Sequence, residues 1–575
     1  MTGPIIIPSS KHQGQVDLSS TNNCLGQVDL WPPKKCLGQV ESCEAPKVWR
    51  RWPQHLAAVI ASLGAMSAGG VLGWSTAVLP YLQESNPSWD GGQPLGRVAA
   101  PVTNEQGNWL TSLPYLGAVV GSLFSGDLAD CFGRRPFLLG CSIPYLLGWL
   151  LIAFTEDCGS PDSKHLVLSS VPHFTSTSRD SNIRSSRVLT PSVRRGSVDV
   201  SCSTIPVMLI ARFISGLAVG ATTTVTPMYI EEIADDHIRG ALGVYVDLLL
   251  IVGTLCSYIA VAYLSYFWVA VYSASLPLLF LVTFYFMPES PIYLLYKGHK
   301  EDAEKALKWL RGSVQGQDDK DIQEDILGLE KLLGEYSVID TSSILTRILR
   351  IPCFLKGVCW SNVRVTSPAG KATFIVTGLM FFQQVCGLDT VITFSVCLLQ
   401  SSRWRIVYSQ YICYVIVTVI QILAVIVSCA VVDRIGRKIL LGVSSSSMAV
   451  CLAVLSLNSH LNKTSYYSWV LVLVASIYIV AYSVGFGPLP WVLAAEIPPT
   501  DEKESIESTA NVVSWVLSFI VNQFINNVIG NFGGVVSYGV FGALCVSATV
   551  FVAMVVPETK RKPREQIESE LGVEN

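Results

Sequence analysis

Twelve stretches of this chain stay apolar for about 17 to 25 residues each, and that one property decides what it can fold into. At about 1.5 Å of rise per residue, a helix of that length crosses the roughly 30 Å of hydrocarbon in a bilayer. Within lipid the backbone must satisfy its own N–H and C=O groups, so isolated apolar runs of this length are helices. The runs are 56–82, 109–128, 136–154, 205–230, 241–264 and 266–287, then 372–399, 406–432, 439–457, 469–494, 508–529 and 535–556. The eighth is the least clean, because Arg403 and Arg405 crowd its start. Composition agrees: 14% of residues are charged, against about a quarter in a soluble chain.

Basic residues orient these spans. With the amino end inside, 29 of the 40 Lys and Arg fall on cytoplasmic segments, which places both termini in the cytoplasm. The chain divides into a tail (1–55), a six-helix half (56–288), a polar linker (289–370), a second six-helix half (371–557) and a carboxyl tail (558–575). In the linker, Ala303, Ala306, Leu307 and Leu310 share one helical face, predicting surface helices. The first tail lacks the apolar core of a cleaved signal peptide, so it is expected to stay. Its Gly-Gln-Val repeats at Gly14, Gly26 and Gly38 are too few and too polar for a solenoid.

The halves repeat. Asp130-Cys131-Phe132-Gly133-Arg134-Arg135 follows the second span, and Asp433-Arg434-Ile435-Gly436-Arg437-Lys438 follows the eighth. Pro288-Glu289-Ser290-Pro291 closes the sixth span, and Pro557-Glu558-Thr559-Lys560 closes the twelfth. Such duplication is typical of secondary transporters, whose solute site lies at midplane between the halves.

These motifs, with Arg239-Gly240, Gln383-Gln384-x-x-Gly387 and Gly485-Phe-Gly-Pro-Leu-Pro-Trp491, carry a resemblance. The chain resembles the sugar porters of the major facilitator superfamily, in particular the insect facilitated trehalose transporters and glucose facilitators. The resemblance implies an all-α membrane protein with twelve transmembrane helices in two pseudo-symmetric six-helix halves, the major facilitator fold. It implies facilitated diffusion of a hexose, or a disaccharide such as trehalose, by alternating access at the plasma membrane. The expected partners are the sugar and the lipid bilayer, with no nucleic acid, no cofactor and a monomer as the working unit.

By that resemblance, Asp130, Arg134, Arg135, Arg212, Glu232, Arg239, Asp433, Arg434, Arg437 and Glu496 form a gate that knits the cytoplasmic ends of the halves together. The basic members alone would also serve to set topology. Arg212 lies inside the fourth span, where an unpaired cation is costly, so it is expected to turn toward a carboxylate such as Glu232. Sugars suit neutral amides and aromatic faces. The solute residues implied are Gln383, Gln384, Asp389, Asp247, Gln421 and Trp491, with Ser483, Ser514 and Ser518 beside them. Helix–helix hydrogen bonding is the alternative for the two glutamines, and an interfacial anchor is the alternative for Trp491.

Departures from the family pattern matter more. Asp247 stands where relatives have Gln, and Asp389 where they have Asn. Thr393-Phe394 replaces a pair of tyrosines. Proton-coupled relatives keep a titrating Asp on the first span, where this chain has Val71. Uniport is therefore expected, with proton symport through Asp247 or Asp389 as the alternative. A non-transporting sugar sensor is the second alternative, disfavoured by the short 560–575 tail.

Other features are minor. The 16 cysteines form no CxxC pair, and no nucleophile–base constellation, metal cluster or phosphate loop is present, so enzymatic chemistry is not expected. Asn462-Lys463-Thr464 is an N-glycosylation sequon on an expected outer loop. Residues 155–204 are rich in Ser, Arg and Thr where the family has a short loop, and read as an atypical insertion or a gene-assembly artefact.

Overall fold

The structure, a computed structural model, describes residues 51–83, 102–157, 201–235, 238–312, 319–334, 368–388, 391, 392, 395, 410–460, 468–499, 503–560 and 562. Asp389, Asn462, the Thr393-Phe394 pair and the tail repeats lie outside these residues, as does 158–200.

Every regular element among the described residues is a helix. The first half comprises α1 (Trp52–Gln83), α2 (Asn104–Phe132), α3 (Arg134–Gly140), α4 (Ser142–Asp157), α5 (Ser201–Ile233), α6 (Arg239–Tyr263) and α7 (Tyr266–Phe284). The third span is α3 and α4 together, interrupted at Cys141. Residues 155–157 and 201–204 belong to α4 and α5, so the inserted stretch is narrower than 155–204. Three linker helices follow: α8 (Pro291–Tyr296), α9 (Lys300–Arg311) and α10 (Asp319–Gly334). The second half holds α11 (Pro368–Val385), α12 (Gln410–Ile435), α13 (Arg437–His460), α14 (Ser468–Val484), α15 (Leu489–Glu496) and α16 (Lys503–Val555). Among the described residues, nine segments are long and apolar enough to cross a membrane.

Two spans, 508–529 and 535–556, were expected where α16 runs as one helical stretch of 53 residues. A straight helix of that length would measure about 80 Å. Side-chain contacts show that it folds back. Gln384 of α11 bonds Ser514 and Ser518 on the first arm, while Gly378, six residues earlier on α11, abuts Phe551 on the second. Residues 514 and 551 would stand about 55 Å apart on a straight rod, so α16 supplies two antiparallel spans. The fold is thus twelve spans in two six-helix halves.

Small residues set the packing of the first half. Gly117 and Gly121 of α2 face Gly216 and Gly220 of α5, two small-xxx-small patterns in register. A Cβ built on Gly121 would sit 2.1 Å from the Leu217 carbonyl oxygen, and one on Gly220 would sit 2.0 Å from that of Ala118. The α1–α6 seam is as close: a Cβ built on Gly69 would sit 1.8 Å from Leu250 O, and one on Gly253 would sit 2.0 Å from Met66 O. Lipid gives helices no hydrophobic reason to associate, so backbone-close van der Waals contact carries the association.

The linker face behaves as its pattern predicts. Ala303, Ala306, Leu307 and Leu310 are buried, and Leu310 joins the core of the first half. Arg311, at the end of α9, pairs with Asp235 after α5 and with Asp325 of α10 at 3.3 Å. Burial pushes the Arg311 guanidinium below its ordinary range, and Asp325 opposes that shift.

Candidate functional site

A cavity lies between the halves, walled by α5, α6, α15 and the first arm of α16. Chain direction gives its depth. Thr223, Asp247, Leu250, Trp491 and Trp515 line the inner end. Glu231, Arg239 and Glu496 line the end nearest the Asp-x-x-Gly-Arg loops, called the basic face below. Toward the opposite face the described residues of the two halves are in contact. One apolar core runs from Trp74, Trp149 and Tyr258 of the first half into Cys413, Tyr414 and Trp515 of the second. Tyr258 and Tyr414 lie 5.2 Å apart between ring centres, and Ser112 donates to Gln523 across the halves at 2.8 Å. The cavity is therefore a pouch with its mouth on the basic face.

The tenth span breaks as its composition requires. Pro488 and Pro490 lack an N–H, so α14 ends at Val484 and α15 restarts at Leu489. Gly485 has no room for a side chain, since a Cβ would meet that of Ser444 at 2.3 Å. The break tilts Trp491 over the cavity, its ring 6.3 Å from that of Trp515.

Of the expected solute residues, Asp247 and Trp491 reach the cavity wall. The two glutamines stand behind it. Gln383 donates to Gly487 O at 2.6 Å, and Gln384 donates to Ser514 Oγ at 2.9 Å and accepts from Ser518 Oγ at 2.9 Å. In this conformation they tie α11 to the broken tenth span and to α16. Gln421 is buried on α12. Trp515 was missed by sequence reading, although it adjoins Ser514, a position the resemblance had marked.

Arg212 corrects an expectation. It is fully buried, and among the described residues it donates to a carbonyl and a hydroxyl rather than to a carboxylate. Its Nη2 donates to Val71 O at 2.7 Å and to Ser75 Oγ, and its guanidinium lies 5.0 Å over the Trp74 ring. The reason is geometric: Glu232 is twenty residues further along α5, about 30 Å away, at the other face of the membrane. Glu232 instead pairs with Arg134 at 3.0 Å.

The basic face carries two matching charge clusters. In the first half, Arg134 pairs with Asp130 at 2.5 Å and with Glu232. In the second, Arg437 pairs with Asp433 at 3.1 Å and Glu496 at 3.0 Å. Each is anchored by the carboxylate that closes its half. Glu289 accepts from Arg135 N at 3.2 Å, and Glu558 accepts from Arg437 N at 2.9 Å and Lys438 N at 3.2 Å, both at helix starts where free N–H groups favour an anion. Burial raises the Glu289 carboxyl above its usual range, and the N–H groups of Ser290 and Arg135 counter this. Gly133 (φ 103°) and Gly436 (φ 110°) make the turn between spans, with Glu289 and Glu558 packed where a side chain would project. Thr559 donates to Glu496 at 2.7 Å, a contact the sequence did not announce. These ion pairs close within each half. The first half touches the second cluster at Gly240, where a Cβ would lie 2.5 Å from Arg437 Nη2. Arg239 faces the cavity mouth, Arg135 bonds Tyr285 O, and Arg434 is exposed.

A twelve-span fold with a pouch between duplicated halves defines a secondary-transporter architecture. The chain belongs to the sugar (and other) transporter family, whose profile matches residues 59–167 and 196–571. It is 26% identical to a facilitated trehalose transporter Tret1 of Anopheles gambiae over 90% of this chain, and 27% identical to that of Culex quinquefasciatus over 92%. It spans 56% of the Anopheles relative's length and 87% of the Culex relative's. Among solved structures it is similar to the major facilitator superfamily proton:xylose symporter XylE bound to 6-bromo-6-deoxy-D-glucose. That match has a TM-score of 0.66 at 21% identity and covers 91% of this chain and all of that one. A partially occluded inward-open XylE from E. coli matches with a TM-score of 0.61 at 22% identity, covering 89% and 99%.

The family match skips 168–195. Deleting those residues is expected to leave folding and transport intact, as judged by size-exclusion profile and solute counterflow. A collapsed profile would show that the segment packs against the spans.

Proposed function

We propose that the chain is a sugar uniporter of the plasma membrane, with both termini in the cytoplasm, moving a hexose or a disaccharide by alternating access. The pouch between the halves carries this reading. It is walled by two indoles, lies between the halves and opens toward the basic face. The names of the Tret1 relatives support a sugar as solute. With the basic face cytoplasmic, the conformation is inward-facing.

Arg212 favours uniport over proton symport. The buried guanidinium faces the first span where proton-coupled relatives keep a titrating Asp, and it is met there by the Val71 carbonyl and the Ser75 hydroxyl. Neither group releases a proton during a cycle.

Counterflow in proteoliposomes against a panel of hexoses and disaccharides, at two pH values, tests both points. Exchange is expected, net uptake should level at equal concentrations, and a protonophore should change neither. Accumulation that a protonophore collapses would overturn uniport and point to Asp247.

A further inference from the structure

We propose that the preferred solute is an amino sugar, a hexose-sized ring bearing a protonated amine, and that Asp247 binds the ammonium group. The inference rests on the reading of the pouch as a sugar pathway and names the class of sugar.

Three observations carry it. First, Asp247 lines the inner end of the cavity, its Oδ2 is closed to solvent, and among the described residues nothing donates a hydrogen bond to that oxygen. A carboxylate left unpaired in a low-dielectric site costs several kcal/mol, which a bound cation offsets and a neutral hydroxyl does not. Second, Asp247 is the charged residue on the wall of the inner end; Glu231, Arg239 and Glu496 lie at the mouth, where Glu496 is paired with Arg437 at 3.0 Å. Arg239 sits at the mouth, eight residues and about 12 Å along α6 from Asp247. Among the described residues, the wall of the inner end thus carries one carboxylate and no cation, a field that favours a positive group there. Third, the Trp491 and Trp515 rings stand 6.3 Å apart at 47°, a wall that holds both the apolar face of a pyranose and an ammonium group. Trp515 Nε1, buried and unpartnered among the described residues, is free to donate to a ring hydroxyl.

Placement across the seam strengthens the assignment. Asp247 belongs to the first half, and its Oδ2 lies 3.5 Å from where a Cβ on Gly487 of the second half would stand. An ammonium held by Asp247 thus sits beside the broken tenth span, in contact with both moving bodies. An amide at position 247 would serve a neutral sugar well. A carboxylate suits an amine.

Counterflow with the full chain in proteoliposomes, using D-glucosamine, D-glucose and N-acetyl-D-glucosamine, tests the proposal. Half-maximal exchange is expected for glucosamine at a concentration about tenfold or more below that for glucose, the scale of one buried charge pair. N-acetylation should remove the advantage, since it removes the charge and keeps the ring. Asp247→Asn should bring the glucosamine-to-glucose ratio to about 1, whereas Asp247→Glu should keep the preference. Quenching of tryptophan fluorescence by each sugar in detergent gives the same comparison where a variant is folded but transports poorly. Glucose exchanging as well as glucosamine, or a ratio unchanged in Asp247→Asn, overturns the proposal and leaves the sugar pathway standing. Exchange of none of the three overturns the sugar reading itself.

Discussion

Replacing Gly220 with alanine is expected to cost the protein its fold, while the same change at Gly126 leaves it intact. At Gly220 the new methyl would lie 2.0 Å from Ala118 O and 2.7 Å from the carbonyl carbon and Cα of the same residue. Those are backbone atoms and cannot swing aside, so α2 and α5 must part along the whole glycine seam. Overpacking of this kind costs about 3 kcal/mol at the upper end of the usual range, roughly a hundredfold in the ratio of folded to unfolded chain. At Gly126, by contrast, nothing lies within 4 Å of the built Cβ. Alanine there gains about 1 kcal/mol of helix propensity. Size-exclusion profile and melting temperature of a fluorescent fusion read out both variants. A Gly220→Ala protein as monodisperse and heat-stable as the parent would show that α2 and α5 do not approach this closely.

The second large effect is expected from Glu496→Ala. Glu496 accepts from Arg437 at 3.0 Å and from Thr559 at 2.7 Å, and it lines the mouth of the cavity. Its removal leaves the buried Arg437 with Asp433 alone and strips Thr559 of its acceptor. Breaking one arm of a buried charge network costs about 3 kcal/mol, and the loss falls on the cluster that holds the end of α15 at the cavity mouth to the start of α13. Uptake is expected to drop by about tenfold or more with surface expression largely kept. A cysteine placed at Ala495 should label faster from the basic face. Uptake at the parental rate, in a normally expressed variant, would remove this cluster from the transport cycle.

Reading the fold from sequence succeeded where one physical signal dominated. Twelve apolar runs had to be helices, and the motif pairs marked the duplication that Gly133 and Gly436 make concrete as one turn used twice. The sequence misled where position along a helix had to be converted into distance. Arg212 and Glu232 both lie on α5, but a helix separates residues twenty apart by a full membrane thickness, so the guanidinium found Val71, Ser75 and Trp74 on a neighbour instead. The site was half legible. Asp247 and Trp491 line the pouch, yet Gln383 and Gln384 spend their amides on Gly487, Ser514 and Ser518, because a buried amide bonds whatever the packed helices offer it. Trp515 escaped notice since a lone aromatic in an apolar run carries no periodic signature; only its pairing with Trp491 gives it meaning.

The two charge clusters have a mechanical consequence. Arg134 is clamped by Asp130 and Glu232, and Arg437 by Asp433 and Glu496, each inside its own half and each locked by the carboxylate that ends that half. Across the seam, contacts among the described residues include Ser508 on Ser122 O at 3.0 Å, Asn511 on Thr224 at 3.1 Å and the valine trio Val244, Val425 and Val492. The molecule is thus a pair of stiff levers riveted internally and joined by a slip joint. If the halves slide past one another there, as the proposed alternating access requires, the rivets travel with the levers.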